Sequence, residues 1–161
     1  MIKLDYKWMN LALKIAKING ERSEVPIGAV LVDLNSDSII SKSGNQIIKK
    51  NNPLEHAELI VIKSALRKTT RKYLDNAALY VTLEPCIMCG AAILETRIKK
   101  LYFGAYDLKK GAFEKYFLLF KNKSYFKTEI YGGIKENDCS KLIKNFFKDI
   151  RKKDKLNEYR K

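Results

Sequence analysis

The 161-residue chain has one histidine and three cysteines, and it contains no run of about 18 apolar residues. The last absence argues against a membrane span. With so few thiols in a chain long enough to close a substantial core, a disulfide-stapled fold is disfavoured. Any site that uses an imidazole must use His56. No internal repeat or low-complexity linker marks a second domain, so residues 1–161 read as a single domain. Acidic residues are also scarce, 18 Asp and Glu against 32 Lys and Arg, giving a net charge of +14. A surface of that sign attracts phosphate backbones, but the excess of Lys over Arg is also what background composition could produce. Both readings stay open. The start, MIKLDYKWMNLALKIAKING, is basic and partly apolar like a targeting peptide. Asp5, helical spacing and the lack of a continuous apolar stretch place it in the fold, with a cytoplasmic location expected.

What is present reads as alternating elements. Asp5 can cap a helix that shows Trp8, Met9, Ala12, Ile15 and Ala16 on one face and stops near Gly20. VPIGAVLVDL is almost continuously apolar, as in a strand covered on both faces. After a turn at Asn35 to Asp37, Ser38 to Lys42 return as a second strand. A polar loop, GNQIIKKNNP, precedes helical spacing from His56 to Leu66. Ala77 to Leu83 predicts a buried strand, Pro85 opens a helix to about Arg97, and Lys99 to Gly104 predicts another strand. This alternation implies parallel pairing with helices on both faces, an α/β three-layer α/β/α sandwich. Residues 105–127 are Lys-rich and aromatic and give no clear element. A basic amphipathic helix at about 137–161 carries Leu142, Ile143, Phe146, Phe147 and Ile150.

The chemistry concentrates where LEPCIMCG puts Cys86 and Cys89 three residues apart after a strand. At a helix N-terminus, free N–H groups and the dipole favour thiolate over thiol. A redox dithiol and a metal site both use such a position. A third ligand separates them, and NNPLEHAELI offers His56 at the start of another helix, with Glu58 two residues on. Two residues apart on a regular helix point in roughly opposite directions, but at a helix end both can reach a metal near the axis. One His, two Cys and a free carboxylate describe a catalytic zinc site with a position left for water. Zinc with two thiolates and a neutral imidazole carries no net charge, so water there needs a base, and Glu58 is the candidate.

H-x-E (His56-Ala57-Glu58) followed by P-C-x-x-C (Pro85-Cys86-Ile87-Met88-Cys89) resembles the signature of zinc-dependent deaminases. EVPIGAV from Glu24, Gly44-Asn45, LYVTLEPCIMC from Leu79, YFGAYD from Tyr102 and the Phe146-Phe147 pair are similar to the bacterial tRNA-specific adenosine deaminases, over roughly Asp5 to Arg151. The resemblance implies the cytidine deaminase-like fold, a central five-stranded mixed sheet between helices. It implies one Zn²⁺ per subunit, held by His56, Cys86 and Cys89, with Glu58 moving protons as adenosine at the wobble position of a tRNA anticodon stem-loop becomes inosine. It also implies a homodimer, and the lack of a long apolar run leaves no membrane partner expected. By the same resemblance Asn45 contacts the base edge, Asp107 sits beside the target nucleotide, and Phe146 and Phe147 approach RNA; helical spacing alone puts one of that pair in the core. Glu84 is open between a structural hydrogen bond and a substrate contact. Tyr106 before Asp107, and Ala112-Phe113-Glu114-Lys115 after Gly111, depart from the family pattern, which bears on the RNA-contacting loop. Two rival readings stand beside this one: a relative acting on a free base, nucleoside or nucleotide (cytosine, cytidine or guanine), and a catalytically silent zinc-containing RNA-binding module.

Overall fold

The structure is a computed structural model that describes residues 6–115 and 126–158. Helix α1 (Lys7–Glu21) buries Trp8, Met9, Ala12 and Ala16, the face that the spacing predicts. Its N-cap is Tyr6, with no side-chain cap; Asp5 lies outside the described residues. Strands β1 (Gly28–Asp33) and β2 (Ser38–Gly44) form the expected hairpin, with a register shift between Leu31 and Val32. Gly28 is required by close approach, since a Cβ there would stand 2.1 Å from the Ala12 carbonyl oxygen on α1. The polar loop that follows contains one turn of helix, α2 (Ile47–Lys50). Its organiser is distant: the buried Glu24 carboxylate accepts the N–H groups of Ile48 and Lys49 at 2.9 and 3.3 Å.

Helix α3 (Ala57–Thr69), strand β3 (Ala77–Leu83), helix α4 (Ile87–Glu95) and strand β4 (Lys100–Ala105) occur within a few residues of their expected bounds. Pro85 does not open α4, however. It lies one residue before the N-cap, which is Cys86. Beyond β4 come a short helix α5 (Ala112–Lys115), a short strand β5 (Glu129–Tyr131) and the long helix α6 (Glu136–Glu158).

The five strands are ordered β2-β1-β3-β4-β5. β3, β4 and β5 run parallel, whereas β1 is antiparallel to both its neighbours. The expected parallel pairing therefore fails at β1 and β3, for a topological reason. The β2-α3-β3 crossover does join two strands of the same direction, but it passes over β1, which sits between them. Side chains alternate across the sheet. Ala29, Leu31, Leu79, Val81, Leu101 and Phe103 pack with Val61 of α3 and Ile93 of α4. Val30, Val32 and Ala78 pack on the other face with Met9 of α1 and Cys139 of α6. Covering both faces explains why β1 and β3 are apolar almost throughout. Among the described residues no helix is long and apolar enough to cross a membrane.

Candidate metal centre

Because β2 and β3 point the same way, the chain leaves both at one edge of the sheet, and the helices that follow them start there. That brings the N-termini of α3 and α4 together. His56 is the N-cap of α3, with extended backbone (φ −70°, ψ 146°), and Cys86 is the N-cap of α4 (φ −70°, ψ 172°). Cys89 lies in the first turn of α4. The donor atoms of His56, Cys86 and Cys89 all lie within 4.8 Å of one another. His56 Nδ1 stands 3.8 Å from Cys86 Sγ and 3.5 Å from Cys89 Sγ.

These distances test the donor set. Zinc bonds of about 2.3 Å to sulfur and about 2.0–2.1 Å to nitrogen, at tetrahedral angles, place sulfur and nitrogen about 3.6 Å apart. The residues fit zinc without rearrangement. As an extended N-cap, His56 escapes the helical geometry that would turn it away from Glu58, which lies inside the first turn of α3 and is buried. Among the described residues Glu58 Oε2 has no hydrogen-bond partner. A buried carboxylate oxygen close to His56, Cys86 and Cys89 is placed to accept a proton from water.

The electrostatics agree. The hydrogen bond shared with Cys89 lowers the Cys86 thiol to a pKa of about 4, and the His56 contact adds to this. The same shared bond, with burial, pushes Cys89 up. Without metal the dithiol thus holds one proton between its sulfurs. The Cys86 contact raises the pKa of His56, and burial raises that of Glu58. Two helix N-termini aimed at the cluster add positive potential where the thiolates need it.

The fold is shared with known proteins. Residues 2–105 match the family model for the cytidine and deoxycytidylate deaminase zinc-binding region. A tRNA-specific adenosine deaminase of Rickettsia bellii is 49% identical over 144 residues, 89% of this chain and 99% of the relative. A solved structure from a study of A-to-I editing by tRNA:A34 deaminases at the wobble position of transfer RNA superposes with a TM-score of 0.80 at 42% identity, covering 86% of this chain and 99% of that one. The chain belongs to the tRNA-specific adenosine deaminase family. A guanine deaminase structure from Nitrosomonas europaea, with a TM-score of 0.75 at 17% identity over 86% of this chain and 82% of that one, shows the shared fold alone. The five-stranded mixed sheet is therefore the cytidine deaminase-like one, and the zinc expected from the motif belongs to this deaminase domain.

The other residues that family resemblance singles out are distributed unevenly around this deaminase site. Asn45 is buried, and its Oδ1 accepts the Ala57 N–H at 2.8 Å, between His56 and Glu58. Asn19 of α1 donates in turn to the Asn45 carbonyl at 2.7 Å. Asp107 is half-buried in the β4–α5 loop, where its Oδ1 accepts the N–H groups of Lys109 and Lys110. Phe146 and Phe147 stand elsewhere. They lie on α6, in the layer opposite the metal helices, with rings edge-to-face at 5.5 Å. Phe146 is half-buried near Gly20 of α1, and Phe147 is 41% exposed. Cys139 is a packed thiol, as expected. Residues 116–125 of the Lys-rich, aromatic stretch 105–127, and the last residues, 159–161, lie outside the described residues. Sequence reading left Glu84 open. Its signal was an acidic residue inside an apolar run with no basic neighbour, and the structure shows its side chain bonded to the backbone of the loop that carries Asp107.

Proposed function

We propose that this chain is a hydrolytic deaminase that converts adenosine to inosine at the wobble position of tRNA anticodons. One observation carries the reading: three zinc-type donors meet at two helix N-termini, with the Glu58 carboxyl buried beside them. The relatives named above, similar over about nine-tenths of the chain, supply the substrate class. Zinc bound by His56, Cys86 and Cys89 would supply the Lewis acidity that makes water nucleophilic near neutral pH. Glu58 takes the proton of the attacking water and delivers it to N1 of adenine as C6 is attacked. It then takes the proton of the hydroxyl now on C6 and passes it to the departing amine as the C6–N bond breaks, so that water and adenosine give inosine and ammonia. Asn45, its Oδ1 engaged by Ala57, offers Nδ2 to the base edge. Asp107 stands beside the target nucleotide, and Phe147, exposed on α6, offers a ring to unstacked RNA bases.

In this reading residues 1–161 act as one zinc-dependent domain, working as a homodimer in the cytoplasm on a tRNA anticodon stem-loop. The test is to incubate the zinc-loaded protein with an anticodon stem-loop RNA and, separately, with free adenosine, cytidine, cytosine and guanine. Mass analysis should find inosine in the RNA. Deamination of the free compounds only would overturn the tRNA assignment, and RNA binding without ammonia release would favour a silent module.

A further inference from the structure

Glu84 follows β3 directly, is 2% exposed, and closes the strand pair through its own N–H to the Ala105 carbonyl at 2.8 Å. Its side chain serves something else. Oε2 accepts the Asp107 N–H at 3.1 Å and Oε1 accepts the Phe113 N–H at 3.0 Å, so both ends of the 107–113 loop are tied to one carboxylate. Within the loop, Gly111 N–H donates to the Asp107 carbonyl at 2.9 Å, and Ala112 N–H donates to the Pro85 carbonyl at 2.9 Å. Gly111 also forms a bridge with Cys86, a metal ligand. The fit is tight enough to exclude a side chain at 111, where a Cβ would lie 2.2 Å from Glu84 Oε2. The loop exposes Leu108, Lys109 and Lys110, and the Lys110 charge acts on His56.

A carboxylate is an acceptor at both oxygens, which is what two backbone donors require; a carboxamide would set its NH₂ against one of them. Through Oε1 and Oε2 the Glu84 side chain holds the backbone at both ends of the loop. We propose that Glu84 is a positioning residue, a buried tether that fixes the 107–113 loop against the Cys86 side of the metal centre and sets how RNA is engaged there. The proposal rests on the RNA deaminase reading above.

The test uses the zinc-loaded full chain carrying Glu84→Gln or, independently, Gly111→Ala, which attacks the same contact from the loop side. Zinc per chain should match wild type. Hydrogen exchange of at least one of the Asp107 and Phe113 amides, the one left facing the new NH₂ in Glu84→Gln, should accelerate about tenfold or more, the scale of losing a charge-assisted hydrogen bond, while β3 and α3 stay unchanged. KM for an anticodon stem-loop should rise about tenfold with kcat within about twofold, a split that simple destabilisation does not produce. Unchanged exchange at both amides, loss of zinc, or a fall in kcat at constant KM would overturn the proposal. If Glu84→Gln does not fold, Gly111→Ala decides by the same readouts. Wild-type protein that leaves the stem-loop unreacted overturns the functional reading and the effect on KM with it; the exchange arm then still decides whether Glu84 holds the loop.

Discussion

Glu58→Gln separates what this side chain does for the reaction from what it costs the fold. The residue is 3% exposed, Oε2 has no hydrogen-bond partner among the described residues, and burial raises the pKa above the ordinary 4.5. A buried polar atom left unpaired costs about 1–3 kcal/mol. Glutamine keeps the shape, removes the charge and cannot accept a proton from water. Turnover should fall about 10²–10⁴-fold, the usual worth of a positioned acid–base group, or about 3–5 kcal/mol of barrier. Zinc content should not change, since the three ligands are intact. Stability should move the other way. A folded pKa above the unfolded one means that the native state holds its proton longer, so this carboxyl's contribution declines as pH rises from about 4.5 through the raised folded value. The variant lacks that slope, and the difference between variant and wild type should widen in the variant's favour across that window. Single-turnover inosine formation, zinc per chain, and urea melts of the metal-free protein between pH 4 and 8 measure the three effects. The reasoning is refuted if the variant retains turnover within about threefold, or if at neutral pH it is less stable than wild type by more than about 1 kcal/mol.

Metal binding should release protons: with Cys86 lowered to about 4 and Cys89 raised, the metal-free pair still carries one proton at pH 7, and zinc needs both sulfurs as thiolates. Calorimetry in buffers of different ionisation enthalpy should find at least one proton released, with affinity falling as pH is lowered; no release would refute the shared-proton picture. Asn45→Ala strips the acceptor from the first N–H of α3 and should cost about 1 kcal/mol in thermal melts, as loss of a helix cap does. Asn45→Asp keeps that acceptor and should recover the stability but not a low KM; equal stability of the two variants would contradict this. At Gly104 a Cβ would stand 2.3 Å from Cys139 Sγ and 2.7 Å from the Thr82 carbonyl oxygen. Gly104→Ala should therefore destabilise by about 1–3 kcal/mol, with part of the loss recovered in the double variant with Cys139→Ala; strictly additive losses would show that the sulfur is not the obstacle.

The elements that were legible in the sequence carry their own instructions. β1 and β3 are apolar almost throughout because each is covered on both faces, and α1 shows its buried stripe because one face meets the sheet. The metal centre was legible for a related reason. Its donors sit at the first positions of two helices, so short local patterns, H-x-E and P-C-x-x-C, fix where each side chain emerges. Elements whose cause lies elsewhere in the chain were not legible. α2 depends on Glu24, more than twenty residues earlier. β5 has three residues, its middle one half-buried and its ends exposed, and takes its shape from pairing with β4 rather than from a pattern of its own.

Strand order is the same problem on a larger scale, because nothing local in VPIGAVLVDL says that β1 lies between β2 and β3. The site depends on that order all the same. The hairpin reverses the chain once, so β2 emerges parallel to β3 although neither touches the other, and α3 and α4 both begin at the edge where those strands end. Ligands in such sheets gather at the carboxyl ends of the strands. Thirty residues of sequence separate His56 from Cys86, yet the crossover over β1 leaves the imidazole 3.8 Å from the sulfur. A residue pattern can therefore announce the donors, while the meeting of those donors is decided by a strand that contributes none of them.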